Sequence, residues 1–220
     1  MGTVTEITKN DLIKIIEAVY QKIDQNKEYL SNLDTQIGDG DHGFSMAGGF
    51  KSFYDNLQGI SGLDIGQVLK KGGFELIKKI GGAAGAVFGT FFTGQASYYE
   101  KNLSGKESLS LQDWANMLAE ALAQIKKRGN AKPGDKTMID AMQPAVEALQ
   151  EAAENDPDLT EAFKKASMKA KQGAESTKNM VSKRGRSRNL GERSKGYLDA
   201  GAMSTFFIFD AISEYLQQKP

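Results

Sequence analysis

Three aspartates and their neighbouring glycines are the residues of this sequence that most clearly indicate chemistry. Asp34, Asp39 and Asp41 lie within eight residues, in a turn that also contains Gly38 and Gly40. Carboxylates this close repel one another unless a cation lies between them. Because the chain has no Cys and a single His, a metal here would be a hard, oxygen-bound cation. The alternative is a solvated acidic turn whose Asp caps the next helix.

The spacing favours Mg²⁺ over Ca²⁺. No Glu stands at the twelfth position of a loop that starts at Asp39, so this is not an EF-hand. The glycines at 38, 40 and 43 match a dinucleotide fingerprint, but a helix precedes them and the intervening aspartates would repel pyrophosphate. The segment Gly129–Thr137 differs from a P-loop at one residue and lacks the strand that leads into one.

Glycine-rich turns open several predicted helices, at Gly43, at Gly82 and at Gly134. Such turns expose backbone N–H groups at the positive end of a helix, which suits phosphate oxygens. Together with the aspartates they predict a polyphosphate ligand. For Gly81–Gly85 the alternative is close packing between helices.

A basic segment follows near the C-terminus. Residues 178–195 contain seven Lys or Arg, opposed by Glu192. The chain is neutral, with 28 basic and 28 acidic residues, and aromatic residues do not alternate with these bases, so no nucleic-acid partner is expected. Beside a nucleotide, the segment would close over phosphates as a lid with Arg186 as the clamp; otherwise it is a solvated loop. The sequence allows three roles for His42: a phosphohistidine acceptor, a phosphate donor group or a helix-start residue.

Apolar residues recur at helical spacing along the chain, and no convincing alternation of period two is present, so the prediction is an all-α bundle. Without a Pro/Ser-rich linker, residues 1–220 are predicted to form one domain. Ser108 or Ser110, Asp135, and Pro157 with Asp158 are the expected helix starts. The eight predicted helices are Thr8–Leu33, Phe44–Leu57, Asp64–Lys79, Ala83–Lys101, Leu111–Arg128, Asp135–Glu154, Asp158–Met180 and Asp199–Gln218.

If neighbouring helices run antiparallel, every second loop lies at the same end of the bundle. Those loops carry the unusual residues: Ile37–Gly43, Gly81–Gly85, Gly129–Asp135 and Ser182–Gly201. They are therefore expected to converge. Ile80–Tyr99 is a charge-free stretch of 20 residues with five Gly, predicted as a buried helix and not as a membrane span. No signal peptide is recognised, and a cytoplasmic protein with no membrane partner is expected.

Four ordered motifs resemble one family. Ile37-Gly-Asp-Gly-Asp-His-Gly43, the glycine-rich run 81–92, Pro133–Met138 and 185–194 are similar to the nucleotide-binding L subunits of dihydroxyacetone kinase. The resemblance implies a barrel of eight antiparallel amphipathic helices with the nucleotide at one end. It also implies that Asp34, Asp39 and Asp41 coordinate two Mg²⁺ on the phosphates of ADP, with catalytic roles for them and Arg186. The implied nucleotide contacts are His42, Gly43, Phe44, Ser45, Ala83, Ala84, Gly129, Met138, Arg186, Asp199, Ala200 and Gly201.

Because the chain matches the L part alone, it resembles the type that depends on the phosphotransferase system. The resemblance then implies ADP as a bound cofactor, phosphorylated by a phosphohistidine carrier (M) subunit, and transfer from ATP to dihydroxyacetone on a separate K subunit. A homodimer is a further expectation. Two alternatives are a paralogous kinase subunit for another small ketose or polyol, and a nucleotide-loaded module that docks on a transcription regulator.

Four positions depart from the family pattern. Ser45 replaces Asn, Ala84 replaces a phosphate-binding Ser, Tyr197 replaces His, and Ala200 replaces Pro. The Ala84 change removes one phosphate hydrogen bond, worth about 1.5–3 kcal/mol to a buried charged group. The departures put tight retention of ADP, and the identity of the substrate, in question.

Overall fold

Helices occupy most of the chain, as the apolar spacing predicts. A computed structural model describes residues 3–58, 62–155 and 158–219; Pro157, an expected helix start, lies outside them. The helices of the described residues are α1 Lys9–Gln25, α2 Lys27–Ile37, α3 His42–Asp55, α4 Ile65–Ile80, α5 Gly82–Asn102, α6 Leu111–Gly129, α7 Ile139–Asn155, α8 Leu159–Ser176 and α9 Ala200–Gln218. Two 3-10 helices, Thr177–Asn179 and Arg186–Ser194, lie between α8 and α9.

The helices close into a barrel. Helix α1 packs against α3, each helix from α3 to α9 packs against the next, and α9 returns to α1. Helix α2 continues the chain from α1 and packs beside α3 and α9. Eight helices therefore form the closed wall, and the prediction of an all-α, eight-helix architecture is confirmed.

The structure corrects the bounds of two predicted helices. The segment Thr8–Leu33 is interrupted at Asn26, whose φ of −108° and ψ of 9° end α1 and whose side chain donates to the Lys22 carbonyl at 2.8 Å. Helix α7 begins at Ile139 and not at Asp135, because Lys136 has a φ of +60°. A non-glycine residue in that region does not continue a right-handed helix.

The structure also contains a two-stranded ribbon that the sequence did not predict. Strands β1 Glu6–Thr8 and β2 Ser108–Ser110 pair antiparallel, with Ile7 opposite Leu109. Strands of three residues are too short to show an alternation of period two. Each strand ends on a helix cap: Thr8 caps α1 and Ser110 caps α6, both in capping boxes. Ser110 is thus the cap of α6, and Asp158 likewise caps α8.

The barrel interior is apolar and rich in aromatic rings. Phe92 makes edge-on contacts with Phe50, Phe53 and Phe91, at centroid distances of 5.9, 5.2 and 5.0 Å. Trp114 is buried, and of the neighbouring Phe206 and Phe207 only Phe207 is buried. Within the described ranges no helix is both long enough and apolar enough to cross a bilayer. The charge-free stretch 80–99 belongs mainly to α5, in the barrel wall.

Candidate functional site

A cavity of about 560 Å³ opens where the four unusual loops meet. Its volume lies within the range of ~300–1,000 Å³ typical of small-molecule sites. Its lining includes residues of the turn before α3, the start of α5, the end of α6 and the loop before α9. The larger apolar residues of the lining are Ile37, Ile80, Val87, Phe88, Ile125, Met138 and Ile139. The loops thus converge at one end of the barrel, as the antiparallel arrangement predicts.

The three aspartates lie together in this cavity. Asp34 is in the last turn of α2, Asp39 is in the loop, and Asp41 directly precedes α3. One carboxylate oxygen of each lies within 4.8 Å of the other two. Gly40, with a φ of +79°, turns the loop so that its N–H donates to Asp34 Oδ2 at 2.8 Å. This cluster of hard oxygen ligands, partly exposed to water, fits a divalent cation of the Mg²⁺ type.

Arg186 contacts the same aspartate cluster from a distant part of the chain. Its guanidinium forms an ion pair with the Asp39 carboxylate, and its side chain is 70% exposed. Arg186 begins a 3-10 helix after Gly185, which has a φ of +64°. The structure therefore places the predicted clamp beside the predicted metal ligands, although the two are separated by almost 150 residues of sequence.

Backbone N–H groups at helix starts are further polar groups of the cavity wall. Gly81 and Gly82, with φ of +69° and +54°, lead into α5, where Ala83 and Ala84 line the cavity. Free N–H groups at such a start favour an anion. Ala84 contributes only its backbone there, since it has no hydroxyl.

His42 is held inside the cavity wall. Its Nε2 lies 2.8 Å from Ser204 Oγ, and its ring centroid lies 6.3 Å from that of Phe88. Burial lowers the pKa of His42 to about 4, against the opposing effect of the Asp34 charge. The imidazole is therefore neutral at pH 7, and it is hydrogen-bonded both to Ser204 and to the backbone of Ala200.

Asp199 caps α9 and lines the cavity. Its Oδ1 accepts from the Ala202 N–H at 2.7 Å. Burial raises its pKa to about 7; the charges of Asp140 and Asp34 act in the same direction, and Lys136 opposes them. An acid with this pKa exchanges its proton near neutral pH.

We expect Asp199→Asn to stabilise the nucleotide-free chain at pH 8 but not at pH 4. The carboxyl ionises near the ordinary aspartate pKa of 3.8 in the unfolded chain and near 7 in the folded one. The folded state therefore binds the proton more tightly between these values, and its stability falls as pH rises through that window. Asparagine keeps the capping oxygen without a charge, so the gain at pH 8 should be at least about 1 kcal/mol. Urea unfolding at both pH values measures it; equal effects at pH 4 and pH 8 would contradict the raised pKa.

Most of the predicted site residues line the cavity. These are Asp34, Asp39, Asp41, His42, Ser45, Ala83, Ala84, Gly129, Met138, Arg186, Asp199, Ala200 and Gly201. Gly43 and Phe44 are placed elsewhere. Gly43 is buried against α2, where its N–H donates to Ser31 Oγ at 3.1 Å, and Phe44 is 55% exposed.

Other lining residues were missed from the sequence. Lys136, Thr137, Arg184, Ser187 and Arg188 also line the cavity. Arg184 Nε donates to Asp135 at 3.1 Å, and this guanidinium lowers the pKa of the buried Asp135 against the effect of its desolvation. Lys136 and Thr137 lie just after Asp135, where the sequence predicts a helix start, whereas Arg184 and Arg188 belong to the basic segment 178–195 that is expected to close over phosphates.

The fold and this cavity define a class of protein: an all-helical barrel of the kind found in dihydroxyacetone kinases. The dihydroxyacetone kinase from C. freundii, solved in complex with AMP-PNP and Mg²⁺, matches with a TM-score of 0.73 and 26% sequence identity over 97% of this chain and 35% of that one. A model of the DAK2 domain matches residues 36–214.

Two relatives that match along most of their length are also subunits of dihydroxyacetone kinases. The ADP-binding subunit DhaL of the PEP-dependent dihydroxyacetone kinase of Escherichia coli is 39% identical over 186 residues, 84% of this chain and 87% of that protein. The corresponding subunit of dihydroxyacetone kinase 2 of Listeria innocua is 36% identical over 89% of both chains. The chain belongs to the DAK2 domain family, the family of these kinase subunits.

Proposed function

We propose that this chain is the ADP- and Mg²⁺-binding phosphoryl-transfer subunit of a dihydroxyacetone kinase. The observation that carries the proposal is the cluster of Asp34, Asp39 and Asp41, paired with Arg186 at a cavity formed by glycine-rich helix starts. The E. coli relative is an ADP-binding subunit of such a kinase. The C. freundii enzyme, of similar fold, was solved with a nucleotide analogue and Mg²⁺.

In this proposal the three aspartates hold two Mg²⁺ on the nucleotide phosphates. Two Mg²⁺ carry about four positive charges, against about three negative charges on ADP and three on the aspartates. Roughly two negative charges are left for the helix starts and Arg186 to offset. The α5 start at Ala83 and Ala84 and the α9 start at Ala200 supply N–H groups, and the apolar lining near Met138 packs against the base.

Bound ADP would accept a phosphoryl group from a phosphohistidine carrier subunit and, as ATP, donate it to dihydroxyacetone on a separate K subunit. The residues of this chain bind, orient and neutralise. Arg186 stabilises charge on the transferred group, which is where phosphoryl transfer gains most from a protein. The neutral His42, engaged by Ser204, is proposed as a nucleotide contact.

The departures from the family pattern bear on retention of the nucleotide. Ala84 lines the cavity without a hydroxyl, and we propose that ADP is held less tightly than in relatives with Ser at this position, by about 1.5–3 kcal/mol. The carbonyl of Tyr197 accepts from Lys136, and Tyr197 is 41% exposed. Ser45 and Ala200 both line the cavity.

Reconstitution tests the proposal. We expect the purified chain to release ADP on denaturation, and to support phosphorylation of dihydroxyacetone by phosphoenolpyruvate when K and carrier subunits are added. Leaving out the carrier is the control and should stop the reaction. Turnover with ATP that needs no phosphoenolpyruvate, together with ready exchange of ATP, would contradict transfer from the carrier.

Two further proposals concern the state of the chain. A relay that uses phosphoenolpyruvate and two partner subunits requires all of them in one compartment, and we place it in the cytoplasm. We also propose a homodimer. Light scattering after size-exclusion chromatography measures the mass, and a single-chain mass at micromolar concentration would exclude the dimer.

A further inference from the structure

Lys136 is a buried lysine whose ammonium group is surrounded by backbone carbonyls. Its relative exposure is 1%. The ammonium donates to the carbonyls of Thr177 at 2.9 Å, Ser194 at 2.8 Å and Tyr197 at 2.5 Å, and the Met180 carbonyl lies at 3.3 Å. Three N–H donors thus serve four acceptors.

These four carbonyls belong to the two ends of one loop. Thr177 and Met180 lie where the chain leaves α8, and Ser194 and Tyr197 lie where it approaches α9. We call residues 177–197 the basic loop. Its middle carries Arg184, Arg186, Ser187 and Arg188, which line the cavity. One side chain therefore joins the base of the loop that brings Arg186 to Asp39.

Other hydrogen bonds near Lys136 also hold the basic loop in place. The Gly196 N–H donates to the Lys178 carbonyl at 2.8 Å, also across the base of the basic loop. Asp135, adjacent to Lys136, accepts from Arg184 Nε through its side chain and from the Lys183 N–H through its carbonyl. The turn before α7 thus holds both the base and the arginine-bearing part of the loop.

This arrangement is energetically costly. Burial lowers the pKa of Lys136, and Asp199 opposes that effect only from a distance. Among the described residues no carboxylate forms an ion pair with Lys136 within 4.0 Å. Its φ of +60° is also unfavourable for a residue with a side chain. Costs of this kind persist where the surrounding structure and function require them.

We infer that Lys136 is a positioning residue that holds the two ends of the basic loop together and so fixes Arg186 beside the aspartate cluster. The inference rests on the proposed function, because Arg186 is taken there as the phosphate clamp. Lys136 acts through Arg186: its ammonium donors are used by the loop and not by a ligand.

Binding of MgADP to four variants forms the first test. We expect Lys136→Met and Arg186→Ala each to weaken binding about tenfold or more, since a hydrogen bond to a charged group is involved. The double variant should bind little worse than either single one, because two residues that act as a unit do not have additive effects. Lys178→Met, which removes an exposed charge from the same loop, is the control and should change binding less than twofold. Full additivity would overturn the inference.

Hydrogen exchange supplies a readout that needs no nucleotide. The amides of Ser182, Lys183 and Gly196 are hydrogen-bonded in the basic loop, and in Lys136→Met they should exchange at least about tenfold faster, with the barrel helices unchanged. Protection equal to the parent chain would overturn the inference even if MgADP binds. If the parent chain fails to bind MgADP, the proposed function fails, while exchange still tests the loop.

A second variant covers a failure to fold. Lys136→Gln keeps an N–H donor without the charge and should give smaller effects of the same kind. If circular dichroism shows that neither variant folds, Lys136 supports the whole barrel and not the loop, and the inference is overturned.

Discussion

Asp39→Asn should lower the affinity for MgADP, and phosphoryl transfer in the reconstituted kinase, by at least about 100-fold. The substitution removes one charged ligand from a cluster whose oxygens lie within 4.8 Å of one another. It also removes the ion-pair partner of Arg186. Metal-mediated charge stabilisation is the main contribution expected of a protein in phosphoryl transfer, and losing a single such group commonly costs two or more orders of magnitude. Calorimetry with MgADP measures the affinity, and phosphorylation of dihydroxyacetone by phosphoenolpyruvate with added K and carrier subunits measures the transfer.

The control is another aspartate on the surface. Asp55 lies at the end of α3, pairs with Lys51 and is 52% exposed. Asp55→Asn should leave both measurements unchanged. If Asp39→Asn retained full turnover, the cluster would not hold the catalytic metal. If it lost nucleotide while the chain still bound a transcription regulator, the regulatory alternative would gain support.

The barrel could be predicted from sequence because its signal is repeated in most of its helices. Helices such as α1, α4 and α6 carry an apolar stripe at helical spacing, and short connections favour antiparallel neighbours. These two facts predict that the four unusual loops lie at one end of the barrel, and the cavity is at that end. The break at Asn26 carries no comparable signal, since Asn is tolerated within helices at moderate cost.

Site residues that are close together in the sequence were easier to predict than those that are far apart. Asp34, Asp39 and Asp41 are close in sequence, so their convergence in space follows almost directly. Arg186 was chosen from a run of bases, and its contact with Asp39 depends on the path of the whole basic loop. A loop path is set by backbone hydrogen bonds and positive φ values, here at Lys136 and at the glycines, which residue types report only weakly.

Lys136 and Asp135 show the same limit more sharply. In the sequence they follow a Gly and precede an apolar helix, which is the pattern of a helix start. In the structure they form a turn that reaches the loop more than 40 residues further along the chain, through contacts such as Lys136 to Thr177. Residue patterns predict helices and turns, whereas the contacts of one buried ammonium with four distant carbonyls depend on the folded path of the chain.

Gly43→Ala should destabilise the chain by about 3 kcal/mol, because overpacking typically costs about 1–3 kcal/mol and the neighbouring atoms here are rigid backbone. A Cβ at position 43 would lie 1.9 Å from the Lys27 carbonyl oxygen, so α2 and α3 would have to separate. Gly48, in the same helix, has open space around it, and Gly48→Ala should instead stabilise by about 0.5–1 kcal/mol. Urea unfolding measures both.

The same pair of variants separates two roles for Gly43. The family resemblance makes it a nucleotide contact, whereas the structure places it in the α2–α3 contact and outside the cavity lining. If packing is its role, Gly43→Ala loses stability first, and its MgADP affinity falls only because Asp34 on α2 shifts relative to Asp41 before α3. Unchanged stability with lost MgADP binding would reverse that assignment, since the glycine would then be needed for the ligand and not for the helix contact.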